Sequence, residues 1–435
     1  MPRRFLLTRF QTIILLIVLT LGMACSDSET TSTPSEDIPS SDVSVTDVPP
    51  ASDAAAGDIE PETSTSDAVT DTGAGPGPKT CATEVILEEA ELELVNGETS
   101  DFTFYVPEDA VSVGMTVSGI EGVTYSLARW EGPSTTLVQD GWMNMPDNQG
   151  GLCFTCPIRI APSQGAVASM TPNNPNGIVE SGDHSARVMA FTLEGGFGGF
   201  GGTPTPASGI VSVRVHAKLK ESLPDTGTLN LNLHFTGSKG WTAATAPTND
   251  EFQAILKTMG EAYAEVGISL GRIEYFDVDP VYKVIESIDG EDSDLSEMFR
   301  LSSQGPIDAV NVFFVEELIG PFGAGFGVLL GISGGIPGPI LSPGTARSGV
   351  AIATKEQDQL PVSLETTVAH EVGHYLGLFH ILEDNFGGLF PTIYDPLPDT
   401  PEANDTEWLM HFNGTGLKLS PWQGIVMRSN PVICH

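Results

Sequence analysis

The stretch HEVGHYLGLFH, residues 370–380, constrains the fold more than any other part of this 435-residue chain. On a helix, residues four apart lie on the same face, so His370 and His374 share one side. Gly377 would end that helix, because glycine adopts the left-handed backbone at little cost. The chain would then reverse and bring His380 back towards the other two histidines. The spacing therefore predicts a helix and a turn that collect three imidazoles.

These three side chains have the chemistry of a catalytic zinc site. Three protein ligands leave a fourth coordination position open, whereas a structural zinc site fills all four. Glu371, beside the first ligand, is placed to act as general base. Because three of only eight histidines lie at this spacing, a metal site is favoured over a helix with packed histidines. We expect His370, His374 and His380 to bind one Zn²⁺ and Glu371 to be catalytic.

The motif resembles the elongated HExxHxxGxxH zinc motif of the metzincin metallopeptidases, and within that clan it is most similar to the pappalysin-like group. Two later segments continue the resemblance: YDPLPDTPE (394–402) resembles an Asp-Thr-Pro segment of that group, and EWLMHF (407–412) resembles its Met-turn. The resemblance covers about residues 226–435. It implies a zinc metalloendopeptidase that acts on proteins or peptides, with Met410 beneath the metal.

The residue two positions after the Met-turn methionine departs from the metzincin pattern. Many metzincins have a Tyr there, whose hydroxyl can stabilise the oxyanion, but this chain has Phe412. Because Phe has no donor, either another group stabilises the oxyanion or the rate is lower. The adjacent His411 is a candidate donor, and a packing role for it is the alternative.

Three aspartates lie between the zinc motif and the Met-turn. Pappalysin-like enzymes hold calcium in this region, so the resemblance implies Ca²⁺ at one or more of Asp384, Asp395 and Asp399, since carboxylate oxygens are hard ligands. The alternative is that these are ordinary turn aspartates that cap loops.

The pattern of apolar residues changes once along the folded part of the chain. Residues 81–222 alternate as half-buried strands do, with Gly, Pro and Asn turns between them, which predicts a jelly-roll-like β-sandwich. Residues 226–435 mix strands with helices, which predicts an α/β layer. We expect an α+β fold: an N-terminal β-sandwich, then a metzincin-like α/β catalytic domain with a twisted mixed sheet, zinc helix and Met-turn.

A Gly- and Pro-rich stretch, GAGFGVLLGISGGIPGPILSPGT (323–345), has two interpretations. It is either an edge strand with bulges above the cleft, able to pair with an extended substrate, or a packed structural loop.

The N-terminus resembles a bacterial lipoprotein signal. Residues 1–25 combine an Arg-rich start, an apolar run at 13–21 and Ala24 before Cys25, the predicted lipidation site. An ordinary cleaved signal and an uncleaved anchor are the alternatives. Residues 26–80 are rich in Ser, Thr, Pro and acidic residues and lack aromatics, which predicts a disordered linker. We expect an exported protein: a lipoprotein at the cell surface or in the periplasm, or a secreted protein.

The charge balance limits the partners. Fifty-seven acidic and 19 basic side chains give a net charge of −38, which argues against nucleic acid and against electrostatic binding to anionic lipid. We therefore expect contact with a membrane only through the N-terminal lipid anchor. No pattern in the sequence predicts an oligomeric state.

An exported chain meets an oxidising compartment, so its remaining four cysteines predict disulfides. Three pairings are possible, and the simplest joins Cys153 with Cys156 and Cys81 with Cys434. A four-cysteine zinc site is the alternative.

A second function is compatible with the sequence. The protein could be a catalytically weak or inactive surface lipoprotein, in which zinc only stabilises the α/β domain and the β-sandwich binds a protein or glycan. Whether residues 81–222 are a pro-domain or a permanent module is also open.

Overall fold

The chain has the α+β fold that the sequence predicts, with many strands and few helices. The computed structural model describes residues 24–27, 84–139, 156–194, 203–290, 292–320, 328–355, 362–383, 393–401, 405–413 and 415–435. In this part of the chain, no helix has the length and apolar character needed to cross a membrane.

Several predicted features fall outside these residues. They are the signal segment and linker apart from strand β1 (Ala24–Asp27), and Cys81, Cys153 and Asp384. Cys25 lies in β1, where only the backbone is described.

The first lobe is built from antiparallel strands in two sheets. Its strands are β2 (Glu84–Leu94), β3 (Phe102–Val106), β4 (Ala110–Ser118), β5 (Thr124–Glu131), β6 (Thr136–Val138), β7 (Ser163–Gln164), β8 (Ala166–Thr171), β9 (Gly182–Glu194), β10 (Thr203–Pro206) and β11 (Gly209–Leu219). One sheet has the order β2-β11-β4-β8. The other has the order β10-β9-β5-β6, with β3 paired to β9 and β7 paired to β5.

The two sheets share one apolar core, as the alternating pattern predicts. Val211, Val213 and Val215 of β11 face this core and meet Tyr125 and Trp130 of β5 from the other sheet. Successive side chains of a strand point to opposite faces, so every second residue of β11 enters the core. The lobe is therefore a β-sandwich.

Among its described residues, the second lobe contains a mixed nine-stranded sheet and four α-helices. Its strands are β12 (Gly227–Phe235), β13 (Ile268–Asp277), β14 (Val284–Ile285), β15 (Val310–Val315), β16 (Glu317–Leu318), β17 (Val328–Ser333), β18 (Val350–Ala353), β19 (Leu382–Glu383), β20 (Ile393–Tyr394) and β21 (Ile433–Cys434). The helices are α1 (Asp250–Ala264), α2 (Asp294–Arg300), α3 (Leu364–Tyr375) and α4 (Pro421–Ser429). Short 3-10 turns lie at Ser238–Gly240, Ala246–Thr248, Pro280–Lys283 and Leu301–Gln304.

The large sheet has the order β13-β12-β15-β18-β17-β16-β14, with β21 paired to β12 and β1 paired to β17. β12, β13, β15 and β18 run parallel, whereas β17 is antiparallel to β18. β19 and β20 form a separate two-stranded ribbon.

The central strands β15 and β18 of the large sheet are buried on both faces. In β15, Val312 and Phe314 belong to the core that includes residues of α1 and α3, whereas Phe313 and Val315 belong to a second core that includes residues of α2. A strand covered on both sides reads as a continuous apolar run, which is why VNVFFV shows no alternation.

The two lobes belong to one compact unit and pack closely. Met170 of β8 belongs to the core of the second lobe, and the Thr116 hydroxyl accepts a hydrogen bond from the N–H of Ile340 at 3.0 Å. Strands β4 and β8 and the end of β11 are therefore covered on both faces. The alternating sequence predicts half-buried strands. The reason for the difference is that the sequence pattern does not show which polar side chains find hydrogen-bond partners in the second lobe.

The Gly-rich stretch, which is described from Val328 onwards, does not form an edge strand. Strand β17 (Val328–Ser333) pairs with β18 on one side and with β16 and β1 on the other. Residues 334–340 continue as a buried loop packed against the end of α3, where the N–H of Gly338 donates to the carbonyl of Tyr375 at 3.0 Å.

Candidate metal centre

Helix α3 carries His370 and His374 and is buried along most of its length. The side chain of Ser363 caps its start by accepting a hydrogen bond from the N–H of Thr366. Every residue from Thr366 to Tyr375 is buried. The hydroxyl of Tyr263 in α1 donates to the carbonyl of Ala369 at 2.7 Å. This contact fixes the helix one residue before His370.

Gly377 makes the turn that the sequence predicts. Its φ is 110°, in the left-handed region that favours glycine. Its N–H donates to the carbonyl of His374 at 2.9 Å, and the N–H of Leu378 donates to the carbonyl of Gly373 at 3.0 Å. The helix therefore ends within one turn of His374, and the reversed chain carries His380 back to the centre.

The three predicted zinc ligands converge. The Nε2 atom of His370 lies 3.0 Å from that of His374 and 3.2 Å from that of His380, and the third pair is 3.1 Å apart. All three side chains are buried. Within the described part of the chain, this is the one group of at least three His, Cys, Asp or Glu side chains whose ligand atoms all lie within 4.8 Å.

The hydrogen bonds at the other ring nitrogens set the tautomers. His370 Nδ1 donates to the carbonyl of Leu409 at 2.6 Å, and His374 Nδ1 donates to the carbonyl of Leu378 at 2.7 Å. With the proton on Nδ1, each Nε2 carries a lone pair that points at the centre. The pKa of His370 is lowered to about 3, mainly by burial and secondly by the nearby His380. The ring of His370 is therefore neutral.

This arrangement fits a zinc ion. Lone pairs that face each other at these distances repel unless a cation lies between them. Nitrogens bound tetrahedrally to one zinc at about 2.0–2.1 Å lie about 3.3 Å apart, close to the separations of the three Nε2 atoms. The three Nε2 atoms of His370, His374 and His380 therefore have the spacing that a zinc site requires, and the Nδ1 hydrogen bonds of His370 and His374 leave their Nε2 lone pairs free for the metal.

Met410 lies against helix α3. A Cβ placed on Gly373 would lie 2.9 Å from Met410 Sδ, so the sulfur packs on the helix between the two histidine positions. The preceding carbonyl, that of Leu409, anchors His370, and the Met410 carbonyl accepts from the N–H of Ile381 at 2.8 Å. The segment predicted as the Met-turn therefore holds the ligands from below.

Next to Met410, the structure places a histidine near the metal ligands. His411 is buried, and its Nδ1 accepts a hydrogen bond from the N–H of Asn413 at 3.1 Å, so Nε2 carries the proton. Burial, and then the nearby His380, lower the pKa of His411. Its ring stacks on Phe412 with centroids 4.4 Å apart. Phe412 itself offers no polar atom.

Two of the predicted calcium ligands carry buried oxygens without a hydrogen bond. Asp395 Oδ1 accepts from Thr400 and Leu397, and Asp399 Oδ2 accepts from the N–H of Trp422 at 3.0 Å. Asp395 Oδ2 and Asp399 Oδ1 are buried and accept no hydrogen bond among the described residues. Burial first, and Asp399 to a lesser extent, raise the pKa of Asp395 to about 7. Two buried carboxylate oxygens without hydrogen bonds favour a bound cation over simple turn capping.

We expect Ca²⁺ to raise the melting temperature of calcium-stripped protein, and Asp395→Asn to remove most of that increase, because a cation that binds only the folded state stabilises it. Differential scanning calorimetry with and without Ca²⁺ measures the effect. Asp405→Asn is the control, since both Asp405 oxygens already accept hydrogen bonds, from Glu407 and Trp408. Equal melting temperatures with and without Ca²⁺ would identify Asp395 and Asp399 as ordinary turn residues.

Two of the four predicted disulfide cysteines are described. Cys156 and Cys434 are both buried and disulfide-bonded. Because Cys81 and Cys153 lie outside the described residues, the pairing of all four remains a prediction.

Some groups that shape the site have no signal in the sequence. The anchors of His370 and His374 are backbone carbonyls, which any residue supplies. Arg159 comes from the first lobe, and its guanidinium lies 4.0 Å from the ring centroid of Phe379, next to His380. Its charge also opposes the rise in the pKa of Asp395. Only the packing of the two lobes brings this arginine to the residue beside His380.

Comparisons with known proteins leave the chain without an assigned family. No family model and no curated protein matches it. A metalloproteinase-II from Bacteroides fragilis is similar at 12% identity over 49% of this chain and 61% of its own, with a TM-score of 0.24. An active-site mutant of a family two carbohydrate esterase from Clostridium thermocellum is similar at 8% identity over 55% of this chain and 65% of its own, with a TM-score of 0.12. This chain spans less than two thirds of either structure, and at these TM-scores neither likeness decides a fold or an activity.

Proposed function

We propose that this chain is a zinc-dependent endopeptidase that hydrolyses peptide bonds of extracellular or periplasmic proteins. The observation that carries the proposal is the convergence of the three Nε2 atoms of His370, His374 and His380, with Glu371 next to the first of them. A purely structural zinc site needs neither an open fourth position nor an adjacent base. The likeness of the motif to the metzincins, and to the pappalysin-like group within them, supports the same reaction.

In this mechanism the protein supplies the base and fixes the ligands. A bound zinc would polarise the scissile carbonyl and make the attacking water more acidic. Glu371 takes a proton from that water and passes it to the leaving amine. The carbonyls of Leu378 and Leu409 keep the proton on Nδ1 of His374 and His370, so their Nε2 atoms remain ligands. His411 is the candidate donor to the oxyanion, since its Nε2 carries a proton and Phe412 has none to give.

The cellular location is part of the proposal. The lipoprotein-like N-terminus favours an exported protein, anchored by lipid at Cys25 or secreted, and disulfide-bonded Cys156 and Cys434 suit an oxidising compartment. Its substrates would then be proteins or peptides outside the cytoplasm.

The second candidate function is a zinc-stabilised binding lipoprotein with weak or no activity. The observation that favours it is Phe412, which removes the hydroxyl that many metzincins use on the oxyanion.

Metal removal tests the two functions against each other. We expect the purified protein to digest casein, to lose this activity when a chelator removes the metal, and to regain it with added Zn²⁺, because Glu371 alone cannot activate water. Cleavage that persists in the metal-free protein would contradict zinc catalysis. One tightly bound zinc without any cleavage would favour the binding lipoprotein.

A further inference from the structure

Gly331 is a glycine that the backbone does not require. It lies within strand β17 and pairs with Ile352 of β18, and its φ is outside the left-handed region. Glycine weakens a strand, because it loses more conformational freedom on folding and contributes no side chain to packing. In the interior of a strand it often marks a close approach by another group. The question is which group approaches Gly331.

The group that approaches is the side chain of Glu371. A Cβ built on Gly331 would lie 2.5 Å from Glu371 Cγ, 3.0 Å from Cδ and 3.0 Å from Oε1. These are the three nearest atoms, and all belong to this one glutamate. Cβ atoms essentially never approach carbon atoms so closely, so any other residue at position 331 would displace the carboxylate.

The glutamate has little room to move away. Glu371 is fully buried, and its helix is buried from Thr366 to Tyr375. Gly331 is buried as well. Close-packed interiors transmit a clash to the nearest adjustable group, and here that group is the carboxylate beside the first metal ligand. The contact therefore determines where the carboxylate stands relative to His370.

We propose that Gly331 is a positioning residue for the general base: its missing side chain lets the Glu371 carboxylate lie against the backbone of β17, at the position from which it reaches the attacking water. This inference rests on the proposed function. It assigns a role in the same reaction to a strand outside the zinc motif. Gly331 acts on the reaction only through Glu371, because Gly331 itself has no group that could touch substrate.

Kinetics of Gly331→Ala test the role. We expect the variant to keep one zinc per chain and to lose kcat on the order of 10²-fold, the effect of about 1 Å misplacement of a catalytic group, with KM nearly unchanged. The acid limb of the pH–rate profile should also shift, because the displaced carboxylate has a new environment. Zinc content by atomic emission, and kcat and KM on a fluorogenic peptide across pH, measure these effects.

Gly349→Ala is a matched control. A Cβ on Gly349 would lie 2.6 Å from the ring of Phe299 and 2.8 Å from that of Phe313. Gly349→Ala therefore also overpacks the core around the same sheet, but against side chains without a catalytic role. It should destabilise the protein while the folded fraction keeps its kcat and its pH profile.

A double-mutant cycle tests the contact without any activity. Gly331→Ala should lower the melting temperature of the wild type, but not that of Glu371→Ala, in which the clashing atoms are absent. Gly349→Ala should lower it equally in both backgrounds. Unchanged kcat in Gly331→Ala, or an equal loss of melting temperature in both backgrounds, would overturn the inference. If the double-mutant cycle shows coupling between Gly331 and Glu371 but the wild type cleaves no peptide, the result would instead contradict the proposed function.

Discussion

Glu371→Gln is expected to bind one zinc per chain and to cleave peptides at least about 10³-fold more slowly than the wild type, since a positioned general base contributes roughly 10²–10⁴-fold. Gln has the same size as Glu but cannot take a proton. The three histidines and their carbonyl partners, Leu378 and Leu409, are untouched, so the metal should stay. Zinc content measures whether the metal stays, and kcat/KM on a fluorogenic peptide measures the loss of cleavage.

Glu365→Gln is the matched control, because Glu365 lies in the first turn of the same helix α3, away from the three histidines. It should keep both zinc and activity. If Glu371→Gln digested peptides as fast as the wild type, Glu371 would not be the base. If Glu371→Gln lost its zinc as well, a structural effect of the substitution would account for the inactivity.

The second large effect is expected at Lys218, which joins the first lobe to the C-terminal segment. Lys218 lies at the end of β11 and is fully buried. Its ammonium donates to the carbonyls of Arg428, Asn430 and Ile433 at 2.6, 2.7 and 2.9 Å, and lies 3.1 Å from His435 Nε2. Four groups at the C-terminus therefore depend on one side chain from the sandwich.

Lys218→Met should lower the free energy of unfolding by about 2–5 kcal/mol, because each buried carbonyl left without a donor costs about 1–3 kcal/mol. Met fills a similar volume but removes the donor that the buried carbonyls of Asn430 and Ile433 share. Chemical denaturation of the zinc-loaded protein measures the loss. Lys257→Met is the control: Lys257 is exposed and pairs only with Glu261 on the surface of α1, so its loss should be small. A Lys218→Met variant as stable as the control would show that the carbonyls find other partners.

This contact bears on what removal of the first lobe would do, whether the sandwich is a pro-domain or a permanent module. Removal of the first lobe would leave the carbonyls bound by Lys218 without a donor and would expose core surface around Met170. We expect removal of the first lobe to destabilise the second, whichever role the sandwich has.

The alternation of polar and apolar residues was sufficient to predict the strands of the sandwich, but it did not predict what surrounds those strands. In β11, Ser212, Arg214, His216 and Lys218 alternate with apolar residues, and this pattern predicts a solvent-facing side. His216 and Lys218 are instead buried. A pattern of polar and apolar residues reports the polarity of each side chain, and it does not show that the carbonyls of a distant segment supply its hydrogen bonds.

The metal ligands were predictable for the opposite reason, because their geometry is local. Two histidines four residues apart on a helix, then a glycine turn and a third histidine, fix the ligand set within eleven residues. The Leu378 carbonyl that orients His374 lies within the same eleven residues. The tertiary structure alone decided two other contacts: the Leu409 carbonyl that orients His370, and the approach of Gly331 to Glu371. These contacts join segments far apart in the chain through backbone atoms, or through a side chain that is absent, and neither leaves a residue pattern to read.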